Sequence, residues 1–214
     1  MLEDMDTADV IQLVISFLLR GALIAGIITS VLTKHWSLFF IALLALIVSL
    51  LPVFIERNGK IFLPIEFELV ITGFVFASLF LGEGFRYYDK FWWWDLMLHA
   101  ASGLILGFVG FLIVYTFLRG GKVKMSPVLV AIFSFSFALA LGALWEIFEF
   151  TLDSAFNFNA QHNSLVDTMW DLIVDAFGGL AASIIGYYYV KGGDTLLFNR
   201  LVKKFIRENP WWFR

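Results

Sequence analysis

The sequence has no cysteine and few charged residues. The absence of cysteine among 214 residues excludes disulfide bonds, thiolate catalysis and cysteine-based metal sites. Charged residues make up 15% of the chain, whereas soluble domains carry about 25%. The basic residues are few and scattered, so no nucleic-acid partner is expected. Hydrophobic residues account for 60% and aromatic residues for 18%, a composition that indicates a protein embedded in lipid.

Six apolar runs are long enough to cross a bilayer, which requires about 20 residues of helix. They predict transmembrane helices at residues 8–32, 36–55, 63–81, 92–118, 127–153 and 165–190. The predicted fold class is therefore all-α, a polytopic transmembrane helix bundle of six helices, and the length predicts a single domain. Residues 191–214 are basic and aromatic, and they are predicted to form a cytoplasmic tail with an interfacial helix.

Lysine and arginine residues are distributed unequally between the two sides of the predicted bundle. With six spans, the side that carries both termini holds Arg57, Lys60, Arg119, Lys122, Lys124, Lys191, Arg200, Lys203, Lys204, Arg207 and Arg214. The opposite side holds Lys34, Arg86 and Lys90. Because cytoplasmic loops of membrane proteins carry an excess of basic residues, both termini are expected in the cytoplasm. The expected location is the inner or plasma membrane, crossed several times.

Acidic residues and one histidine recur at helical spacing on the last three predicted spans. They are Asp95 and His99 on the fourth span, Glu146, Glu149 and Asp153 on the fifth, and Asp167, Asp171 and Asp175 on the sixth. Positions four apart share a helix face. At about 1.5 Å per residue, all three helices carry these groups within about 15 Å of the outer surface. The pattern predicts an outward-facing cluster of carboxylates and one imidazole inside the membrane.

Such a cluster needs compensation, because a charged group at the centre of a membrane helix costs about 2.5–3.5 kcal/mol. A divalent metal cation would supply it, and oxygen and imidazole ligands suit Mg²⁺, Mn²⁺, Ca²⁺, Fe²⁺ or Zn²⁺. The predicted metal ligands are His99, Glu149, Asp171 and Asp175. The predicted catalytic groups are Asp95, as a general base or further ligand, and Glu146. The remaining candidates, Asp153 and Asp167, could instead be solvated near helix ends, as could Asp95, and Asp167 could cap the sixth helix.

Three basic residues complete the candidate site. Arg20 lies near the middle of the first span, at a depth close to that of Asp175, so the two are predicted to form an ion pair. The alternative is that the arginine side chain extends toward water. Arg86 and Lys90 lie in the outer loop before the fourth span, where they could contact an anionic lipid headgroup or simply be solvated.

The polar runs also carry a resemblance to a known family. The sequences YDKFWWWDLMLH at 88–99, ALWEIFEF at 143–150 and DTMWDLIVDAFG at 167–178 resemble the YjdF-like family of bacterial inner-membrane proteins. The resemblance covers nearly the whole chain, but that family has no established activity to carry over. A more distant likeness connects the order of Asp-x-x-x-His, Glu and Asp-rich segments to VanZ-like membrane proteins, and it is an analogy of fold.

The sequence leaves three functional hypotheses open. The first is a metal-dependent hydrolase or phosphotransfer enzyme that acts on a lipid or an envelope precursor, with the metal activating water or polarising a substrate oxygen. The second is a cation- or proton-coupled transporter that uses the carboxylates as a relay. The third is a structural or lipid-binding membrane protein. The expected partners are membrane lipids and a lipid or small-molecule substrate. The apolar inner halves of the last three spans favour a site that opens to one side.

Overall fold

The protein is a chain of helices in a computed structural model that describes residues 7–59, 61–156, 161, 164–193 and 195–213. No strand occurs within these residues. The α-helices are α1 (Thr7–Thr33), α2 (Trp36–Ser49), α3 (Leu51–Gly59), α4 (Ile65–Val75), α5 (Tyr87–Lys90), α6 (Trp94–Arg119), α7 (Pro127–Phe156), α8 (Leu165–Val190) and α9 (Leu196–Glu208). A π-helical segment, Phe76–Gly84, follows α4, and a short 3₁₀ helix, Pro210–Phe213, follows α9.

Six helical segments are long and apolar enough to cross a membrane, which confirms the predicted fold class. They are Thr7–Thr33, Trp36–Gly59, Ile65–Gly84, Trp94–Arg119, Pro127–Phe156 and Leu165–Val190. Pro127 begins α7, as expected of a residue that lacks an N–H group. Gly121 and Gly192 adopt positive φ angles of 70° and 86° just after α6 and α8, where a left-handed residue ends a helix.

Two spans differ in detail from continuous α-helices. The second span is interrupted between α2 and α3, two residues before Pro52. The break follows from proline chemistry, because the ring removes a donor and collides with the carbonyl one turn earlier. The third span changes from α-helix to π-helix over Phe76–Gly84, which the sequence pattern does not predict. Within that wider segment the carbonyl of Ala77 accepts a hydrogen bond from Trp94 Nε1 at 3.3 Å.

The helices form two compact units, and the single domain predicted from the length stays a prediction. The first unit runs to Trp94 and includes Arg207–Asn209. Its apolar core contains Leu23, Ala42, Ala45, Val75 and Phe80. Asn209 is fully buried, and its side-chain amide donates to the carbonyl of Phe62 and accepts from the N–H of Phe62. The second unit comprises Asp95–Ile206 and the C-terminal residues from Pro210.

Arg20 is buried in the first unit, where the structure gives it partners other than the one predicted. Its Nη1 atom lies 2.6 Å from Glu68 Oε1. Its Nη2 atom donates to the carbonyl oxygen of Ser49 at 2.7 Å and to Thr72 Oγ1 at 3.4 Å. Ser49 is the last residue of α2, and the final carbonyls of a helix lack partners within the helix. Within the first unit the guanidinium of Arg20 is thus held by Glu68, Ser49 and Thr72, and its predicted pair with Asp175 stays a prediction.

The second unit brings α6, α7 and α8 together through residues without side chains. A Cβ atom on Gly107 would lie 2.7 Å from the Cβ of Ala182, and one on Gly179 would lie 2.8 Å from the Cβ of Ala138. Gly103 faces the backbone carbonyl of Asp175, and a Cβ atom there would collide with it. Small residues at these positions let the helix backbones approach closely. The Gly103-x-x-x-Gly107 spacing on α6 therefore permits its close contact with α8.

Candidate intramembrane site

His99 and Asp175 form the buried centre of the candidate site. His99 is 7% exposed and Asp175 is 1% exposed. The Nδ1 atom of His99 lies 3.1 Å from Asp175 Oδ2, and the hydroxyl of Ser102 donates to Asp175 Oδ1 at 2.7 Å. Because a carboxylate can only accept, Nδ1 carries the hydrogen of this bond. The other ring nitrogen, Nε2, then presents its lone pair when the ring is neutral.

Two carboxylates face the Nε2 atom of His99. Asp95 Oδ1 lies 3.7 Å from it, and Glu146 Oε1 lies 3.8 Å from it. Both distances are too long for hydrogen bonds. Glu146 is only 4% exposed, and its Oε1 atom is buried without a hydrogen-bond partner. A buried carboxylate oxygen with no partner carries a large desolvation cost, which a nearby positive charge would offset.

Asp171 is the carboxylate that groups with Asp95 and His99, whereas Glu146 lies outside this group, although its Oε1 atom faces Nε2. One ligand atom each from Asp95, His99 and Asp171 can be chosen so that all lie within 4.8 Å of one another. Asp171 is 3% exposed, whereas the side chain of Asp95 is 28% exposed. The cluster therefore has a buried floor and a more accessible edge at Asp95.

Helix spacing and close packing explain how these side chains meet. Asp95 and His99 lie four residues apart on α6, and Asp171 and Asp175 lie four apart on α8, so each pair shares a helix face. On α7, Gly142 precedes Glu146 by four residues. A Cβ atom on Gly142 would lie 2.5 Å from Asp175 Oδ2, so the glycine leaves room for this carboxylate.

Gln161 links the ends of α7 and α8 beside the cluster. Its side-chain amide donates to Thr168 Oγ1 at 3.0 Å and to Glu146 Oε2 at 3.4 Å. Its backbone N–H donates to Asp153 Oδ2 at 3.0 Å. These contacts occupy one oxygen of Glu146 and hold the other, Oε1, toward His99. Asp153, a predicted site residue, thus anchors the loop residue that orients Glu146.

The other predicted site residues have local partners. Glu149 is partly buried and accepts a hydrogen bond from Trp145 Nε1 at 3.0 Å. Asp167 lies in the first turn of α8, but the cap of that helix is Ser164, whose hydroxyl oxygen accepts from the Asp167 N–H at 3.2 Å. The capping alternative for the side chain of Asp167 is therefore corrected, although an acid at this position suits the helix dipole.

Arg86 and Lys90 both have local partners in the first unit. Arg86 Nε lies 2.7 Å from Asp89 Oδ2 in an exposed ion pair. Lys90 Nζ donates to the carbonyl of Phe85 at 2.8 Å and lies 5.6 Å from the centre of the Tyr87 ring. Their contact with an anionic headgroup stays a prediction.

Two residues of the site are not identified by the sequence argument. Ser102 lies three residues after His99, on the same face of α6, so the spacing that relates Asp95 to His99 could have included it. Gln161 lies between two helices, where no periodic pattern indicates an orientation. Serine and glutamine are also common residues, so they give no distinct signal in a sequence that already contains eight acidic and imidazole candidates.

The donor set defines what this cluster can bind. It offers one imidazole nitrogen and oxygens from three carboxylates, with no sulfur, and this set suits a divalent cation of the Mn²⁺, Fe²⁺ or Zn²⁺ kind. The Asp175 carboxylate behind the imidazole matches the usual outer partner of a metal-binding histidine, which fixes the ring tautomer. Neighbouring ligands of one such ion stand roughly 3.0–3.4 Å apart, so the 3.7 and 3.8 Å separations around Nε2 are a few tenths of an ångström wider than a bound ion would require.

Comparisons with known proteins place this arrangement in a family context. Residues 13–192 match the family described as "Predicted membrane protein (DUF2238)", which is consistent with the resemblance to YjdF-like membrane proteins. An uncharacterized protein of Thermotoga maritima is 31% identical over 126 residues. That alignment covers 58% of this chain and 64% of the relative, so the chain spans less than two thirds of the relative's length. No solved structure gives a significant match.

Proposed function

The chain belongs to the DUF2238 family of predicted membrane proteins, and we propose that it binds one divalent cation inside the membrane for a hydrolytic or phosphotransfer reaction. The proposed ligands are Asp95, His99 Nε2, Glu146 and Asp171. Asp175 orients the imidazole rather than binding the metal, because both of its oxygens already have partners. Glu149 is outside the proposed ligand set, since it accepts a hydrogen bond from Trp145.

The observation that carries this proposal is the buried Oε1 atom of Glu146. It has no hydrogen-bond partner, and it lies 3.8 Å from a histidine nitrogen whose ring is fixed from the opposite side. If an imidazolium alone compensated the carboxylates, a direct hydrogen bond from Nε2 would be expected, but both facing oxygens are beyond that range. A divalent cation held by these residues would compensate the carboxylates.

A divalent cation would supply electrostatic polarisation of a phosphoryl or carbonyl oxygen and lower the pKa of a water molecule bound to it. The chain supplies the other functions. Asp95 is the more exposed carboxylate of the cluster, so its oxygen that does not hold the cation would accept the proton that water loses when the water oxygen attacks the substrate. Gln161 and Asp175 keep Glu146 and His99 in place, and buried packing excludes other water.

The proposed substrate is a lipid or an envelope precursor that reaches the site from the outer leaflet. The excess of Lys and Arg on one side supports a topology with both termini in the cytoplasm. In that topology α6 and α8 begin at the outer surface, and Asp95 and Asp171 lie about 2 and 9 Å along their helices from that end. The membrane would be the inner or plasma membrane.

Metal analysis of the purified full-length protein tests the proposal. We expect about one divalent ion per chain by inductively coupled plasma mass spectrometry after purification without chelator. Glu146→Gln and Asp171→Asn should each lose the ion, because each removes a charged ligand while preserving side-chain volume. Asp89→Asn is the matched control, since this carboxylate forms an exposed ion pair with Arg86, and it should retain the metal.

The outcomes separate the competing functions. Stoichiometric metal that is lost in both site variants, with hydrolysis of a lipid phosphate by the wild type, supports the enzyme. Ion flux in proteoliposomes without bound metal would contradict it and favour a cation- or proton-coupled transporter. Neither metal nor flux in a folded protein would leave a structural or lipid-binding role.

A further inference from the structure

The helix α9 separates apolar and basic residues onto opposite faces. Phe198 is 3% exposed and Val202 is fully buried. Arg200 and Lys203 are exposed, and Lys204 lies beside them. Successive residues of an α-helix are rotated by about 100°, so Arg200 and Lys203 lie on the side of α9 opposite to Phe198 and Val202. This division gives the helix one face for the protein and one face for its surroundings.

The apolar face of α9 packs on aromatic residues of α6. The ring centre of Phe198 lies 4.4 Å from that of Phe108 and 5.3 Å from that of Phe111. Tyr189, near the end of α8, also contacts the ring of Phe111 at 5.7 Å. The orientation of α9 is therefore set by packing within the second unit, and the direction of its basic face is fixed with it.

The contact with Phe111 also indicates the depth of α9. Helix α6 has 26 residues and is about 39 Å long, whereas the hydrocarbon core is about 30 Å thick. An equal overhang of about 4–5 Å at each end places Phe111 about 7–8 Å and Phe108 about 12 Å below the hydrocarbon boundary, since they lie about 12 and 16 Å from the end at Arg119. A helix with its side chains is about 10–12 Å across, so the opposite face of α9 lies near that boundary. Interfacial helices insert their apolar faces by about 5–10 Å. The basic face of α9 then lies at the level of the lipid headgroups.

We propose that the basic face of α9, formed by Arg200, Lys203 and Lys204, binds anionic phospholipid headgroups of the membrane that the protein spans. Its charge complements a phosphate-rich surface, and the opposite face of α9 is already occupied by its packing on α6. Arginine and lysine presented at a fixed depth attract anionic lipids electrostatically. This inference is independent of the proposed metal site.

Lipid titration of the full-length protein tests this proposal. Delipidated protein in neutral detergent is titrated with phosphatidylglycerol or phosphatidylcholine, and bound lipids are counted by native mass spectrometry. We expect tighter binding of phosphatidylglycerol. The double variant Arg200→Gln/Lys203→Gln should weaken it about thirtyfold, from the typical contribution of two surface charges. The charge-preserving variant Arg200→Lys/Lys203→Arg should bind like the wild type.

The matched control removes two exposed lysines from the connection between α6 and α7. Lys122→Gln/Lys124→Gln changes the net charge equally, but these residues are outside α9. It should keep most of the affinity. Equal affinity for the two lipids, an unchanged affinity in the α9 variant, or equal losses in both double variants would each overturn the proposal. Thermal unfolding of every variant verifies that a loss of binding is not a loss of fold.

Discussion

The substitution Gly142→Ala gives the sharpest test of the packing around the candidate site. Its added Cβ atom would lie 2.5 Å from Asp175 Oδ2 and 3.0 Å from Asp175 Cγ. To reach an ordinary contact of about 3.4 Å, Oδ2 would have to retreat by about 0.9 Å. That movement disturbs the contacts of Asp175 with His99 and Ser102, which are 3.1 and 2.7 Å long.

The expected loss is large for the addition of a single methyl group. A hydrogen bond to a charged group contributes about 1.5–3 kcal/mol, and overpacking of a close contact costs about 1–3 kcal/mol. The better helix propensity of alanine offsets about 1 kcal/mol, so a net destabilisation of about 1.5–5 kcal/mol is expected. Gly21→Ala is the matched control, because nothing lies within 4 Å of its added Cβ atom. The control should be neutral or up to about 1 kcal/mol stabilising.

Thermal unfolding in detergent, followed by intrinsic tryptophan fluorescence, measures both variants under the same conditions. Gly142→Ala should unfold at a lower temperature than the wild type and bind less metal, while Gly21→Ala should show neither change. Equal stability and equal metal content in the two variants would contradict this prediction, because α7 would then leave enough space beside Asp175 for an extra methyl group.

Two further substitutions test single interactions. Ser102→Ala removes the donor to the buried Asp175 Oδ1 and should destabilise the protein by about 1.5–3 kcal/mol. Ser183 donates only to the Leu180 carbonyl of its own helix, so the control Ser183→Ala should cost less. Equal unfolding temperatures of the two variants would contradict the role of Ser102. Glu68→Gln leaves the buried Arg20 guanidinium without its counter-charge and should destabilise the protein by about 3–5 kcal/mol. Asp89→Asn breaks an exposed ion pair and should cost below about 1 kcal/mol. Similar decreases in unfolding temperature for the two variants would show that burial does not control the strength of these pairs.

The membrane-spanning architecture follows from the sequence because each span is a continuous apolar run. Hydrocarbon offers no water to the backbone N–H and C=O groups, so they must form hydrogen bonds within the same segment, as they do in a helix. The length and hydropathy of a run therefore predict a spanning helix directly. The interruptions depend on different causes. Pro52 indicates a disturbance of the second span, but the sequence does not determine whether the helix bends there or breaks into α2 and α3. The π-helical segment Phe76–Gly84 has no simple signal in hydropathy.

The candidate site was predictable to the extent that helix periodicity determines which residues share a face. This principle brought Asp95 toward His99 and placed Asp171 and Asp175 on one side of α8. It does not determine which side of one helix meets another. Arg20 illustrates the limit, because the sequence indicates its depth but does not indicate its contact with Glu68 on α4.

The glycine contacts of α6 and α8 restrict how a lipid could reach the cluster. Gly103 faces the Asp175 carbonyl, and Gly178 faces the Ala100 carbonyl, so the backbones of α6 and α8 are in direct contact at these positions. An acyl chain has no room to slide sideways between the two helices there without forcing them apart. If the proposed substrate is a lipid, it would therefore have to enter elsewhere, and its headgroup would reach the cluster at the partly exposed edge formed by Asp95 while its acyl chains stay in the surrounding bilayer.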